Sequence, residues 1–242
     1  MGDEVLRLKD WIKDAQKIVF FGGAGISTES GIPDFRSTDG LYRQSYDYPP
    51  ETILSHTFYR QNPEEFFRFY RDKLLFLDAR PNRGHIALAH LEQLGKLDAV
   101  ITQNIDGLHQ KAGSKRVYEL HGSVLRNYCE DCGRFYDVYA IAGTTGVPRC
   151  ECGGRIKPDV VLYEEGLAPE IISEAVKAIS AADMLLVGGT SLAVYPAAGL
   201  IDYYRGNRLV LINKTATPVD FRANLCIHDS FGKVIGDVLE NI

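Results

Sequence analysis

The stretch Lys17-Ile18-Val19-Phe20-Phe21-Gly22-Gly23-Ala24-Gly25-Ile26-Ser27-Thr28 decides the fold. An apolar run, Lys17–Phe21, reads as a buried strand, and Gly23-Ala24-Gly25 lets the backbone turn sharply into a following helix whose first amides are free. That strand-to-helix turn is the dinucleotide-binding signature of an α/β fold. Two details limit it. Thr28 stands where the third glycine of the fingerprint belongs, and no acid about 20 residues on ends a second strand, which disfavours a hydride-transferring dehydrogenase.

Outward from this turn, short apolar runs recur at Asp98–Thr102, Val117–Leu120, Asp159–Tyr163, Asp183–Val187, Arg208–Ile212 and Leu225–Ile227. They read as buried parallel strands. Between them Asn82–Leu94, Pro169–Ser180, Tyr195–Tyr204 and Gly232–Leu239 space their apolar residues as helices covering a sheet do. The pattern predicts an α/β chain with a Rossmann-like doubly wound parallel sheet, formed by residues 1–31, 78–121 and 158–242. Two insertions break the alternation: 32–77, aromatic and helical after Asn62-Pro63, and 122–157, which holds four of the five cysteines. Together they are expected to form a smaller zinc-binding and helical domain.

Cys129-x-x-Cys132 and Cys150-x-Cys152 have the spacing of two knuckles closing on one zinc ion. Four thiolates fill a tetrahedron and leave no position for water, so the ion is expected to be structural and the chemistry to lie elsewhere. Two disulfides and an iron–sulfur cluster are the less favoured readings of these cysteines. Cys226, within Leu225-Cys226-Ile227, reads as a small buried hydrophobe.

A net charge of −5 gives no global reason to bind nucleic acid, and the segment 122–157 carries no phosphate-tracking basic patch. Charges scattered through Met1–Trp11 exclude a secretory signal there, and no window approaches a membrane span. A reducing cytoplasm is the expected location.

Beyond the glycine turn come Ser30-Gly31-Ile32-Pro33-Asp34-Phe35-Arg36, Thr102-Gln103-Asn104-Ile105-Asp106-Gly107-Leu108-His109 and His121-Gly122. The four cysteines, Lys157-Pro158-Asp159-Val160-Val161, Gly189-Thr190-Ser191 and Asn213 follow. In this order they resemble the sirtuin family of NAD-dependent protein deacylases, of bacterial type, over nearly the whole chain. The resemblance implies transfer of an acyl group from a protein lysine to ADP-ribose, releasing nicotinamide. Acyl-lysine proteins or peptides are then the partners, NAD the co-substrate and Zn2+ the structural ion.

Residue by residue, the resemblance makes His121 the general base for a ribose hydroxyl, with Asn104 and Asp106 also catalytic. Asp106 and the Ile105 backbone would grip the nicotinamide amide, and Gln103 with Asn104 the adjoining ribose. Gly23, Ala24, Gly25, Ile26 and Thr28 would meet the phosphates together with Gly189, Thr190 and Ser191. Phe35 would shield the ribose face, Arg36 would approach the phosphates or ribose, Asp34 would also contact the cofactor, Asn213 would meet the adenosine ribose, and Phe231 would flank adenine. A substrate peptide would add as a strand beside Val160, Val161, Tyr163 and Glu164 and a second segment near Val194.

The family commonly has Phe-Gly-Glu where this chain has Tyr163-Glu164-Glu165, and the two carboxylates suggest a preference for basic peptides. Phe67-Arg68-Phe69-Tyr70 lacks the Tyr-x-x-Arg of the branch that prefers acidic acyl groups, which favours acetyl or another uncharged acyl group. An ADP-ribosyltransferase or NAD glycohydrolase is the rival enzyme class, and a non-catalytic NAD-sensing module the rival outside catalysis.

Overall fold

The computed structural model describes residues 2–34 and 48–240. In chain order the elements are α1 (Asp3–Asp14), β1 (Ile18–Gly22), a 3-10 helix (Ala24–Ser30), α2 (Pro50–Ile53), α3 (His56–Gln61) and α4 (Pro63–Lys73). Then come α5 (Arg83–Gln93), β2 (Leu97–Thr102), α6 (Leu108–Ala112), β3 (Val117–Glu119), β4 (Gly122–Cys129), β5 (Phe135–Asp137) and α7 (Tyr139–Ala142). The chain finishes with β6 (Ile156–Val160), α8 (Pro169–Ala181), β7 (Met184–Gly188), a 3-10 helix (Ala197–Tyr203), β8 (Leu209–Ile212), a short 3-10 helix (Asp220–Arg222), β9 (Leu225–Ile227) and α9 (Phe231–Leu239).

Six strands form one sheet in the order β3-β2-β1-β7-β8-β9, and every neighbouring pair is parallel. Strand residues are apolar on both faces because both faces are covered. Ile18, Phe20, Val100, Leu186 and Val210 pack under α1, α5 and α9 through Leu8, Ile12, Leu88 and Ile235. Val19, Phe21, Ile101, Val187 and Leu211 pack on the other side against Ala175, Ala178 and Ile179 of α8 and Leu200 of the 3-10 segment. The chain builds outward from β1 through β2 to β3, then returns to β7 on the opposite side of β1. The switch in direction opens a crevice at the carboxyl ends of β1 and β7, where ligands of such sheets bind.

A second, three-stranded antiparallel sheet has the order β5-β4-β6. This corrects the expectation for Asp159–Tyr163: the strand runs Ile156–Val160 and pairs antiparallel with β4, outside the parallel sheet. Its apolar continuation serves a different core, in which Val160 and Leu162 pack with Tyr59, Phe66, Phe67 and Tyr70 from α3 and α4. β6 therefore crosses the expected junction at 157/158. Helix α4 stops at Lys73, short of the expected Leu77, and 197–203 winds as a 3-10 helix. Helix α1 had no counterpart in the sequence reading; only Leu8 and Ile12 are buried on it, too sparse a stripe to stand out. No helix among the described residues is long and apolar enough to cross a membrane.

Candidate active site and metal centre

The loop after β1 and the loop after β7 meet at the switch point. Gly25 N–H donates to the Gly189 carbonyl at 2.8 Å and Gly23 N–H to the Gly188 carbonyl at 3.4 Å. A side-chain carbon on Gly25 would lie 2.9 Å from the Gly189 backbone, so glycine is required by the approach of the two chains to each other. The sequence assigns a pyrophosphate to the free first amides of the helix that follows the glycine turn. That helix is 3-10 rather than α-helical, and within its first turn the Gly25 and Ile26 amides are engaged inside the fold, by the Gly189 and Gly23 carbonyls.

A cleft of about 1350 Å³, as bounded by the described residues, opens above this crossing. Gly23, Ala24, Gly25, Thr28 and Asp34 line one wall, and Gln103, Asn104, Ile105, Asp106 and His121 line the floor. Gly189, Thr190, Ser191, Asn213 and Phe231 line the far end; Val160, Val161, Tyr163, Glu164 and Val194 line the mouth toward the small sheet. Ile26 does not line it, because its side chain is fully buried in the core beneath. Phe35 and Arg36 lie outside the described residues. The volume exceeds the ~300–1,000 Å³ of a typical small-molecule pocket, leaving room for two reactants.

His121 joins β3 to β4, the one place where the chain steps from the large sheet to the small one. Its Nδ1 lies 2.9 Å from the Gln103 carbonyl oxygen. A carbonyl only accepts, so Nδ1 carries the proton and Nε2 keeps its lone pair. Burial pushes the imidazole below its ordinary value of 6.5, with the Gln103 carbonyl pulling partly the other way. Gly122 follows with φ +74°, and a side chain there would come within 1.9 Å of the Asp159 carbonyl oxygen. The backbone can pass from base to sheet only through glycine.

Ser27, which sequence reasoning had not marked, organises the floor. Asn104 Nδ2 donates to Ser27 Oγ at 3.0 Å, and Ser27 Oγ donates to Asp106 Oδ2 at 2.6 Å. The other carboxylate oxygen of Asp106 accepts the Leu108 amide at 2.9 Å, so the acid also holds the start of α6. Burial raises the Asp106 carboxyl, and the bonds from Ser27 and Leu108 restrain the rise. Gln103 Nε2 reaches Thr190 Oγ1 at 3.1 Å. Asn213 closes on Thr190 twice, accepting its amide at 3.1 Å and donating to its carbonyl at 2.7 Å. Lys214, Thr215 and Ser230 also line the cleft; their only sequence signal was adjacency to Asn213 and Phe231.

Of the two carboxylates at the mouth, Glu165 is already engaged by Lys157 and His56, while Glu164 meets only the neutral amide and hydroxyl of Thr57, both through one oxygen. Glu164 accepts the Thr57 amide at 2.8 Å and its hydroxyl at 2.7 Å, while Glu165 faces His56 at 2.8 Å and Lys157 at 3.1 Å. Glu164 has φ +75°, a left-handed conformation that explains the glycine common at this position. The Thr57 bonds offset the strain. Glu164→Ala keeps the strain and loses the bonds, whereas Glu164→Gly loses both, so the alanine variant should melt roughly 2–4 °C below the glycine variant. Equal melting temperatures would contradict this account. Arg71 is turned to the Ile141 carbonyl at 2.9 Å and the Gly146 carbonyl, and does not line the cleft.

The four cysteines come together as expected. Their sulfurs lie within 4.8 Å of one another, with Cys129 to Cys152 at 3.4 Å and Cys132 to Cys150 at 3.6 Å, and all are free thiols. Four sulfurs ~2.3 Å from one tetrahedral zinc stand ~3.8 Å apart, so the donor set fits that ion. The cluster is absent from the cleft lining.

A doubly wound nucleotide-binding sheet with a cleft at its switch point, an imidazole on the floor and a four-thiolate lobe outside it defines an NAD-type α/β protein with a structural metal module. The Sir2 family model matches residues 23–196. The chain belongs to the Sir2 family. It is 60% identical over 241 residues to the "NAD-dependent protein deacetylase" of Clostridium acetobutylicum, covering 98% of each chain. Among solved structures, one described as "Structural Basis for the Mechanism and Regulation of Sir2 Enzymes" superposes with a TM-score of 0.90 at 40% identity, covering 99% of this chain and 98% of the other. Another, "Sir2-p53 peptide-NAD+", gives 0.86 at 39% identity, covering 97% and 96%.

Proposed function

We propose that this chain removes acetyl or another uncharged acyl group from lysine side chains of proteins, consuming NAD and releasing nicotinamide, O-acyl-ADP-ribose and free lysine. The observation that carries the reading is the neutral imidazole of His121, its Nδ1 committed to the Gln103 carbonyl, on the floor of a cleft that has room for two reactants. NAD, when bound, supplies an electrophilic ribose carbon. Every other requirement falls to side chains of the chain itself.

In this reading His121 Nε2 accepts a proton from a ribose hydroxyl, and the Gln103 carbonyl stabilises the imidazolium that results. Asp106 and Asn104, tied together through Ser27, present a fixed carboxylate and amide to nicotinamide. Thr28, Thr190, Ser191 and Asn213 offer hydroxyl and amide groups suited to phosphate and ribose oxygens. Ala24, Asp34, Phe35 and Arg36 complete the cofactor side, and Phe231, packed 4.8 Å from the Phe20 ring, offers adenine an apolar face. The peptide enters between Val160–Glu164 and Val194. The Val161 amide donates to the His121 carbonyl at 3.0 Å, so the substrate strand and the base share one backbone link.

The parallel sheet with its helices forms the nucleotide-binding lobe, and the segments 48–77 and 122–162 form the zinc lobe. Four unpaired thiols suit a reducing cytoplasm. Arg71, held by carbonyls of the 141–146 turn, leaves an acidic acyl group without its usual partner.

Incubation with NAD and an acetyl-lysine peptide tests the reading. Peptide-dependent release of nicotinamide with O-acetyl-ADP-ribose is expected; nicotinamide release without peptide would favour the glycohydrolase. The pH dependence follows from the base. It works only when neutral, and burial holds its pKa below 6.5, so the acidic limb of kcat/KM should fall below pH 6.5. A limb above that value would remove His121 from the role.

A further inference from the structure

Outside the cleft, Asp220, Cys226 and His228 bring a carboxylate oxygen, a thiol sulfur and an imidazole nitrogen within 4.8 Å of one another. We propose that these three residues form a second, solvent-accessible binding site for a thiophilic divalent metal, of which Zn2+ is the type. The sequence reading placed Cys226 among the core hydrophobes. On edge strand β9 its neighbours Leu225 and Ile227 are buried, but Cys226 itself is only half-buried.

The distances match a shared ion. His228 Nε2 lies 3.7 Å from Cys226 Sγ and 3.6 Å from Asp220 Oδ2. Ligand atoms at ~2.0–2.3 Å from a tetrahedral zinc stand roughly 3.3–3.8 Å apart. The carboxylate is also aimed. Asp220 Oδ1 accepts both the amide of Thr217, at 3.0 Å, and its hydroxyl, which turns Oδ2 toward the imidazole and the sulfur. Outer hydrogen bonds of this kind orient metal ligands. His228, with 52% of its side chain exposed, gives the ion an entry path and leaves a fourth position for water.

One sulfur, one imidazole and one carboxylate select zinc-like ions over magnesium or calcium, which take oxygen ligands alone. A thiolate and a carboxylate balance the ion's two charges. The site also spans two segments that reach the cleft: Asn213, Lys214 and Thr215 precede Asp220, and Ser230 and Phe231 follow His228. Occupancy ties these segments together at the adenosine end, so NAD should bind tighter through preorganisation. This last step rests on the proposed function; metal binding itself does not.

The test uses the protein with its four-cysteine site already zinc-loaded. Equilibrium dialysis against Zn2+ with elemental analysis should find a second equivalent per chain. Co2+ titration should give a thiolate-to-cobalt charge-transfer band. Cys226→Ser and His228→Gln should keep the first equivalent and lower affinity for the second at least about tenfold, with the melting temperature of the metal-free second site unchanged. Thr217→Val should weaken binding about tenfold while leaving all three ligands in place. A single equivalent, or a second one indifferent to both ligand variants, overturns the site. Saturation should lower the KM for NAD about threefold in the wild type and not in Cys226→Ser; an unchanged KM overturns the link to the cleft.

Discussion

His121→Ala should lower turnover about a thousandfold, within the 10²–10⁴ range of a positioned general base, and leave the fold and NAD binding nearly intact. The separation of the two effects comes from where the residue sits. Its side chain makes a single hydrogen bond, to Gln103, and it borders a cleft, so truncation opens no cavity in either sheet core. Water can satisfy the Gln103 carbonyl in its place. The measurement is nicotinamide release with an acetyl-peptide, alongside thermal melting and NAD titration. A fall in melting temperature of more than about 5 °C would show that the imidazole is structural, near-normal turnover would show that His121 is not the base, and no turnover in the unmodified chain would leave it a non-catalytic NAD-binding module.

Cys129→Ala should do the reverse, through folding. Cys129 ends β4 and is buried with Cys150 and Ile156 in a core too small to stand alone. Structural zinc supplies ~10–16 kcal/mol of apparent folding free energy in comparable small modules. Loss of one thiolate should release the ion and loosen the three-stranded sheet. The melting temperature of the zinc-lobe transition should drop by at least about 10 °C, with protease sites opening between β4 and β6. Elemental analysis showing one firmly bound zinc per chain in this variant would contradict the four-sulfur centre.

Much of this was legible in the residues, and the misses have physical reasons. β1, β2, β7 and β8 announced themselves because strands covered on both faces are apolar throughout. The same rule misplaced β6, since Val160-Val161-Leu162 is apolar for contact with the aromatic helices and the cleft rather than for a parallel sheet. Cysteine spacing was enough to group four sulfurs. Spacing says nothing of Ser27, whose hydroxyl links residues 77 and 79 positions away. Nor could Glu164 be understood in sequence: the glycine it replaces marks a left-handed backbone, and the compensating partner, Thr57, lies 107 residues earlier. The glycine turn was read for the right place and a different reason, as Gly25 accommodates the Gly189 backbone.

The aromatic cluster of Tyr59, Phe66, Phe67 and Tyr70 is completed by Val124, Ile141, Val160 and Leu162. On a translating ribosome, adding about 5–20 residues per second, these rings wait several seconds for their partners. β1 waits longer still, because its neighbour β7 begins only at Met184. A nascent chain of this topology exposes apolar surface before the segments that cover it have been made, the condition under which aggregation competes with folding.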